Sequence, residues 1–429
     1  MEPLLAGNPG KRTAPKTSFA AMTTNLITAG LGAGILSLPW SLAGASVGVG
    51  VALIAVGLLV NGWTLMILVE AAEKTQRFEL GALVAQLPGR HLGVFMQVFM
   101  NLAVWVSNFG TLIGEMIIVA DAALDVMAFN GLDSEWLLGR RYFWVALSSA
   151  CVLPLCYLDQ QRLACSSTLS ILVNIYVFGL IVAQFAAPGA VGAEPLEPPA
   201  AEQLCFLGLT KGAVTMFSAM TQSVAIQMCV LPMYKDMDRR SPARFRKALN
   251  ISFGFIFILF TCFAVTAVMA VGPGVSSNVL LDLPSSHLSN VGRLGMLAVS
   301  ASIYPFMVTP MVEPLEAWAG EGLKADKIVK VAKGAIVAAV MVAGCFVHSL
   351  GLMNVLNGAL AVGVFVALAP SLVGSMLLKR PGSTAHQASM ILLLFFGAVM
   401  MGIGLVYVDN YVSELTPETC VIGLDDVPS

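Results

Sequence analysis

Charge is what this 429-residue chain has least of: Asp, Glu, Lys and Arg make up 11% of it, against about 25% in an ordinary soluble domain. A folded surface needs more charge than that to stay in water, so a soluble protein is excluded. A disordered chain, polar and charge-rich, is excluded too. Lys plus Arg (23) nearly balance Asp plus Glu (25), which leaves no basic footprint for a nucleic acid. The four histidines, His91, His287, His348 and His386, are scattered and take no role. The eight cysteines lack metal-type spacing. No nucleophile motif and no His–carboxylate cluster stands within an apolar run, so an enzyme is not expected. No cleavable signal peptide is visible, because the first apolar run is full length and follows a basic segment.

What the chain has is apolar length. Hydrophobic residues are 57% of it and the mean hydropathy is +0.84. Eleven membrane helices of about 20 residues would use about half of it. The runs predict spans at Phe19–Leu42, Val47–Val69, Gly93–Val126, Tyr142–Tyr157, Leu163–Ala186, Phe206–Leu231, Leu249–Val271, Val291–Met311, Val331–His348, Leu352–Leu378 and His386–Val408. The expected class is an all-α polytopic membrane protein of 11 transmembrane helices. Its divisions are a short cytosolic segment (1–18), a transmembrane domain (19–408) and a non-cytosolic tail (409–429).

With the N-terminus inside, nineteen of the 23 basic residues fall on inside segments, from Lys11 to Arg380. That bias follows the positive-inside rule and supports both count and orientation. The basic cluster Lys235–Lys247 reads as a topology signal and as a contact for anionic lipid. Outside segments are acidic, with Asp121, Asp125, Asp133, Glu135, Glu194, Glu197, Glu202 and the tail acids. The Pro- and Gly-rich stretch Ala187–Ala201 is the expected flexible connection. The sequon Asn250-Ile251-Ser252 lies at an inside edge and should stay unglycosylated. Cys205 and Cys420 are both placed outside, which leaves a disulfide open until distances decide it.

Two spans look interrupted. The first reads Thr28-Ala29-Gly30-Leu31-Gly32-Ala33-Gly34, then Pro39. Gly weakens a helix and Pro removes a backbone donor. Unwound backbone at membrane depth must line a cavity or pack on protein. Two readings stand on spacing alone: freed N–H groups that hold a carboxylate, or a close helix crossing through small residues. The sixth span carries the counterpart, a polar cluster of Ser218, Thr221, Gln222, Ser223 and Gln227 inside an apolar run, of which about two are expected to line a site. Breaks at positions one and six suggest a five-plus-five inverted repeat, with substrate at the repeat interface.

These residues carry a resemblance. Gly32-Ala33-Gly34-Ile35-Leu36-Ser37-Leu38-Pro39 resembles the first-helix signature of the amino acid/auxin permease family. That family holds sodium-coupled neutral, proton-coupled and vacuolar amino acid transporters. Asn108-Phe109-Gly110-Thr111 through Asp121 resembles its third helix. Val230-Leu231-Pro232-Met233-Tyr234, with the following Ser241-Pro242 and Arg244–Leu249, resembles the end of its sixth and the loop beyond. Ile303-Tyr304-Pro305-Phe306 with Pro310 resembles its eighth. The matches run in order over nearly the whole chain. The resemblance implies a LeuT-like fold and amino acid transport by alternating access.

It also implies site roles. Ala29, Gly30, Gly32, Ala33 and Gly34 fall in the substrate region, with the carboxylate on the backbone N–H groups of Gly32, Ala33 and Gly34. Asn108 and Thr111 join them from the third helix, with the five polar residues of the sixth. In sodium-coupled members an Asn stands four residues before the first Gly of the pair; here that position is Thr28. Thr28, Ser300 and Ser302 are therefore the candidates for a cation site, against ordinary helix–helix hydrogen bonding. Glu115 stands where family members often carry Tyr.

Glu115 is the most informative single residue. A carboxylate deep in a span is costly and usually faces the bundle interior. Asn101, Asn108 and Glu115 are spaced by seven, with Thr111 between, so one helix face is expected to hold them. A carboxylate taken out of water is easier to protonate. Glu115 is the candidate for carrying a proton or meeting the substrate amine; a structural acid tied to a polar neighbour is the bland alternative. The expected function is secondary-active transport of small or neutral amino acids, coupled to protons or sodium. The competing one is an amino-acid-binding sensor with little flux, which a short N-terminal segment disfavours. No cofactor beyond the coupling ion H+ or Na+ is expected, and no partner beyond amino acid and bilayer. The plasma membrane and the vacuolar or lysosomal membrane both fit.

Overall fold

A computed structural model describes residues 17–31, 33–132, 137–157, 165–187, 204–320, 322–378, 383–415 and 419–423. Gly32, most of Ala187–Ala201, the acids Asp133, Glu135, Glu194, Glu197 and Glu202, and residues 1–16 lie outside the described residues. The described residues are mostly helical: α1 (Phe19–Gly30), α2 (Leu38–Ala45), α3 (Val47–Thr75), α4 (Leu80–Val84), α5 (Arg90–Phe129), α6 (Arg141–Leu155), α7 (Cys165–Ala186), α8 (Gly212–Val224), α9 (Gln227–Lys235), α10 (Pro242–Val271), α11 (His287–Ala319), α12 (Leu323–Phe346), α13 (Leu350–Ala361), α14 (Ala369–Met376) and α15 (Thr384–Val406). Five of them open on a serine that accepts a backbone N–H of the first turn: Ser18, Ser241, Ser286, Ser349 and Ser383. That satisfies one of the donors every helix start leaves unpaired.

Eight described segments are long and apolar enough to cross a membrane: Val47–Thr75, Leu169–Ala186, Gly212–Lys235, Pro242–Val271, His287–Glu316, Lys324–Phe346, Leu350–Met376 and Thr384–Val406. The pair Phe19–Gly30 and Gly34–Ala45, bent by 45°, makes a ninth if taken as one span. Outside that set stand two expected spans, the 40-residue α5 and the 15-residue α6.

One expectation needs correction. The sixth span does not begin at Phe206: Cys205–Gly208 is a strand, β1, antiparallel to β2 (Cys420–Gly423) in the tail. Four apolar residues carry no period that separates strand from helix, and the partner strand lies 215 residues away. Cys205 and Cys420 are joined as a disulfide, with Cα atoms 5.8 Å apart. Asp121 and Asp125 lie in α5, within the expected span Gly93–Val126.

The tail is folded onto one end of the bundle. Asn410 Nδ2 donates to the Trp40 carbonyl of α2 (3.2 Å), and Thr215 of α8 donates to the Asp409 carbonyl (3.3 Å). Lys211 pairs with Glu414 at 3.0 Å, and that hydrogen bond holds its ammonium above the usual lysine range. At the opposite end Thr17 N–H donates to the Asp236 carbonyl, and Asp238 N–H to the Thr17 carbonyl, both at 2.8 Å. The start of α1 and the α9–α10 loop therefore share one face of the molecule.

Candidate functional site

Both interruptions are present, and they pack on each other. Helix α1 ends at Gly30, where Leu31 N–H still reaches the Ile27 and Thr28 carbonyls. A tight 3-10 turn, Ala33–Ser37, then leads into α2. The second break is Ala225–Ile226, where the backbone leaves helical geometry between α8 and α9. A Cβ built on Gly34 would collide with Ser223 Oγ and stand 3.1 Å from its Cβ and 3.2 Å from its Cα. Gly34 is thus required by close approach, as helix pairs use small residues in membranes. Gly30 packs elsewhere: its missing Cβ would lie 2.6 Å from Ile256 Cδ1 of α10.

Two hydrogen-bonded groups, joined through α13, lie beside the first break. Ser37 Oγ donates to the Gly34 carbonyl (3.1 Å) and accepts from Asn354 Nδ2 (2.7 Å). One turn along α13, Asn357 Nδ2 donates to the Ser107 carbonyl (2.9 Å) and to Thr111 Oγ1 (3.0 Å). Gln222 Nε2 of α8 donates to the same Thr111 hydroxyl at 3.1 Å. Gly358 closes the corner, because any Cβ there would strike the Ser218 carbonyl. Three elements, α5, α8 and α13, thus meet at Thr111, and α13 ties them to the first break. Asn354 and Asn357 were not among the sequence candidates. Two asparagines three apart in an apolar run, on one helix face, were the available signal.

The candidates separate by direction. Thr111, Gln222, Ser223 and Gly34 are brought together; of the backbone group Gly32 lies outside the described residues, as does the Ala33 side chain. Thr221 donates to its own Phe217 carbonyl. Ser218 lies against Gly404 of α15. Gln227, fully buried, donates to Asn61 of α3. Asn108 donates across to the Met307 carbonyl of α11 (3.3 Å), the helix that Glu115 also faces, while Thr111 between them turns to α8 and α13. Ala29 is half-buried and makes no side-chain hydrogen bond.

Glu115 is 2% exposed and faces α11. The Ser300 hydroxyl stands beside its carboxyl, one carboxyl oxygen has no hydrogen-bond partner, and among the described residues it forms no ion pair. One turn away on each helix, Tyr304 donates to the Leu112 carbonyl (3.0 Å). Two separate candidates, Glu115 and Ser300, are therefore neighbours. The other cation candidates are not joined to them: Thr28 donates to its own Thr24 carbonyl (3.0 Å) and Ser302 to its own Val299 carbonyl (2.7 Å).

Sequence reading missed a charged cluster between α5 and the α10–α11 loop. Arg293, 2% exposed, pairs with Asp125 at 3.1 Å and donates to the Leu280 and Leu283 carbonyls of the α10–α11 loop. Asp121 pairs with Arg141 at 2.6 Å and accepts from Asn278 of the same loop at 3.0 Å. Within that loop, burial pushes the Asp282 carboxyl upward against two hydrogen bonds from Ser276. A buried ion needs such partners to be tolerated. Here they fix the loop to α5 and α11.

Residues 15–408 match the family described as transmembrane amino acid transporter protein. The chain belongs to that family. Its members are membrane transporters, not enzymes, and this one is a multi-pass membrane protein. The vacuolar amino acid transporter 7 of Saccharomyces cerevisiae is 23% identical over 69% of this chain and 58% of its own length. The sodium-coupled neutral amino acid transporter 7 of Danio rerio is 24% identical over 68% of this chain and 62% of its own. The chain thus spans about three fifths of those relatives. In three dimensions it is similar to Mhp1 in its inward-facing conformation, with a TM-score of 0.57 and 13% identity, covering 97% of this chain and 96% of that one. That likeness establishes the LeuT-like fold, with the broken helices in positions one and six.

Proposed function

We propose that the protein is a secondary-active carrier of small neutral amino acids, working by alternating access. The observation that carries this reading is the contact between the two helix breaks, Gly34 on Ser223. Interrupted helices at a repeat interface present free backbone groups to substrate at the middle of the membrane. The N–H groups of Gly32, Ala33 and Gly34 take the substrate carboxylate. The side-chain end meets Thr111 and Gln222. No charged side chain belongs to the hydrogen-bonded set of Ser37, Thr111, Gln222, Asn354 and Asn357, and a charged substrate side chain would be buried there without a partner. That favours neutral substrates.

The coupling ion we assign is the proton, carried by Glu115 with Ser300 as its polar neighbour. A buried carboxyl without an ion pair is held most cheaply in the neutral form and must be rehydrated to release its proton. Sodium is the second reading, favoured by the zebrafish relative, whose name is sodium-coupled. It would use Thr28, Ser300 and Ser302. The cytosolic N-terminus and non-cytosolic tail follow from the basic bias, and a disulfide at the tail suits an oxidising side.

Purified protein in proteoliposomes tests the reading. Labelled alanine, glutamine and arginine are offered under a proton gradient and, separately, under a sodium gradient. We expect proton-driven uptake of alanine and glutamine but not arginine, and loss of proton drive in Glu115→Gln with exchange retained. Uptake driven by sodium alone, or unchanged pH dependence in Glu115→Gln, overturns the proton assignment. Binding without flux overturns transport in favour of a sensor.

A further inference from the structure

The polar corner where α5, α8 and α13 meet has Thr111 as its hub, and the hydroxyl of that hub is fully used. A hydroxyl has one proton to donate and two lone pairs to accept with. Thr111 Oγ1 donates to the Ser107 carbonyl at 3.0 Å. It accepts from Asn357 Nδ2 at 3.0 Å and from Gln222 Nε2 at 3.1 Å. A ligand finds no hydrogen bond left there.

Gln222 is different. Its Nε2 is engaged by Thr111, while its Oε1 is buried and has no partner. The hub sets which way this amide lies. Turned end for end, the amide would need the only proton of Thr111, break its bond to the Ser107 carbonyl and leave both Nε2 protons unpaired. Ser107, one turn back on the same face of α5, is 1% exposed, and its own hydroxyl is unpaired. Buried polar atoms are nearly always paired, so each exception asks for a partner that the fold itself does not supply. The neighbours of Gln222 say where that partner sits. Ser223, the next residue of α8, is the one that Gly34 packs on. A Cβ built on Gly358 of α13 would stand 3.3 Å from Gln222 Cβ, so α13 packs directly on this side chain. Gln222 thus reaches from the contact between the two breaks to α5.

We infer that Gln222 Oε1 reads the substrate side chain and selects amino acids that carry a hydrogen-bond donor there, a hydroxyl or a carboxamide. Gln222 has this role only if the breaks hold the substrate, as proposed above. A side chain of that class gives its proton to Gln222 Oε1. An aliphatic side chain of the same size covers the oxygen, keeps water from it and leaves it unpaired. Lysine and arginine also carry donors, but a buried charge needs an ionised partner, and Ser107, Thr111, Gln222 and Asn357 include none. Thr111 is a positioning residue: it holds Nε2, so that Oε1 is the end of the amide left for the substrate.

The test compares near-isosteres. Full-length protein in proteoliposomes, preloaded with unlabelled alanine and serine so that exchange needs no ion gradient, is offered labelled threonine or labelled valine. A buried acceptor left unpaired weakens selection by about 5–150-fold, so Vmax/KM for threonine should exceed that for valine by this factor. In Gln222→Met, similar in length and without the acceptor, the ratio should fall towards one. Damaged packing alone would lower both substrates together and leave the ratio in place. Thr111→Val removes the group that holds Nε2 and should lower the ratio in part. Equal values for threonine and valine in the parent, or an unchanged ratio in Gln222→Met, overturn the selection and leave transport at the breaks standing. Should Gln222→Met fail to fold, the parent ratio and Thr111→Val decide in the same way. If no amino acid is exchanged or bound, the reading of the breaks fails, and the role of Gln222 fails with it.

Discussion

Adding one methyl group at Gly34 probes the contact on which the functional reading rests. In Gly34→Ala the new Cβ meets Ser223 three times, at its hydroxyl, at its Cβ (3.1 Å) and at its Cα (3.2 Å). The hydroxyl can rotate away, giving up a long bond to the Ala219 carbonyl (3.3 Å). The Cβ and Cα cannot, so the two breaks must part by a few tenths of an ångström. Overpacking of this kind costs about 1–3 kcal/mol. If the breaks close on each other in one state of the cycle only, that cost falls on that state. A bias of that size slows uptake by about 5–150-fold.

Ser223→Gly removes the hydroxyl and Cβ and leaves one tight approach. Alone it costs about 0.5–1 kcal/mol of helix stability. Combined with Gly34→Ala it should restore most of the uptake, a non-additivity expected of residues in contact. Alanine uptake in proteoliposomes and thermal unfolding are measured on all four proteins. Wild-type uptake in Gly34→Ala refutes the contact. A folded double variant that stays inactive assigns the defect to the backbone groups and removes packing from the explanation.

Two further outcomes follow from the hydrogen-bond map. Asn357→Leu keeps the volume but removes its two hydrogen bonds, to the Ser107 carbonyl and the Thr111 hydroxyl; each contributes about 0.5–1.5 kcal/mol, and uptake should fall with surface expression retained, read as Vmax and KM by initial rates. Cys420→Ser should release the tail strand β2 and lower stability, with native disulfides typically contributing about 2–4 kcal/mol; thermal unfolding and proteolysis after residue 408 measure both effects.

The span pattern was legible because long apolar runs leave few alternatives in a chain with 11% charge. The first break was legible too, since alternate glycines before Pro39 weaken a helix wherever it packs. The facing of individual side chains was not. Five polar residues mark the second break, yet Gln222 and Ser223 turn to the first break and α5, while Thr221, Ser218 and Gln227 serve their own helix, α15 and α3. Rotation about the helix axis decides this, and only the neighbouring helices fix it. Asn354 and Asn357 escaped notice because two amides hardly change the hydropathy of an apolar run. Arg293 escaped because a charge at a helix start normally reads as solvated, whereas its partners come from α5 and from a loop.

The two halves of the first broken helix are held unequally, and this predicts which moves first. In α2, seven of eight residues are buried, against three of twelve in α1. Helix α2, the outer half in the proposed orientation, is tied across to other elements by Asn410 at the Trp40 carbonyl, Thr210 at the Gly44 carbonyl and Asn354 at Ser37. Within α1 the cross-helix tie is Ser252 of α10 at the Thr23 carbonyl; the two backbone bonds of Thr17 lie at its end, where water competes. Cross-helix hydrogen bonds in membranes are worth about 0.6–2 kcal/mol each. Two more of them give the outer half an advantage of about 1–2 kcal/mol or more, a factor of about 5–30 in opening equilibria. Backbone amides of Leu26–Gly30 should therefore exchange with solvent deuterium faster than those of Trp40–Ala45 by at least that factor, and added alanine should slow the first set more than the second. Faster exchange in Trp40–Ala45 would reverse the assignment and make the outer half the moving part, with the tail and its disulfide as its hinge.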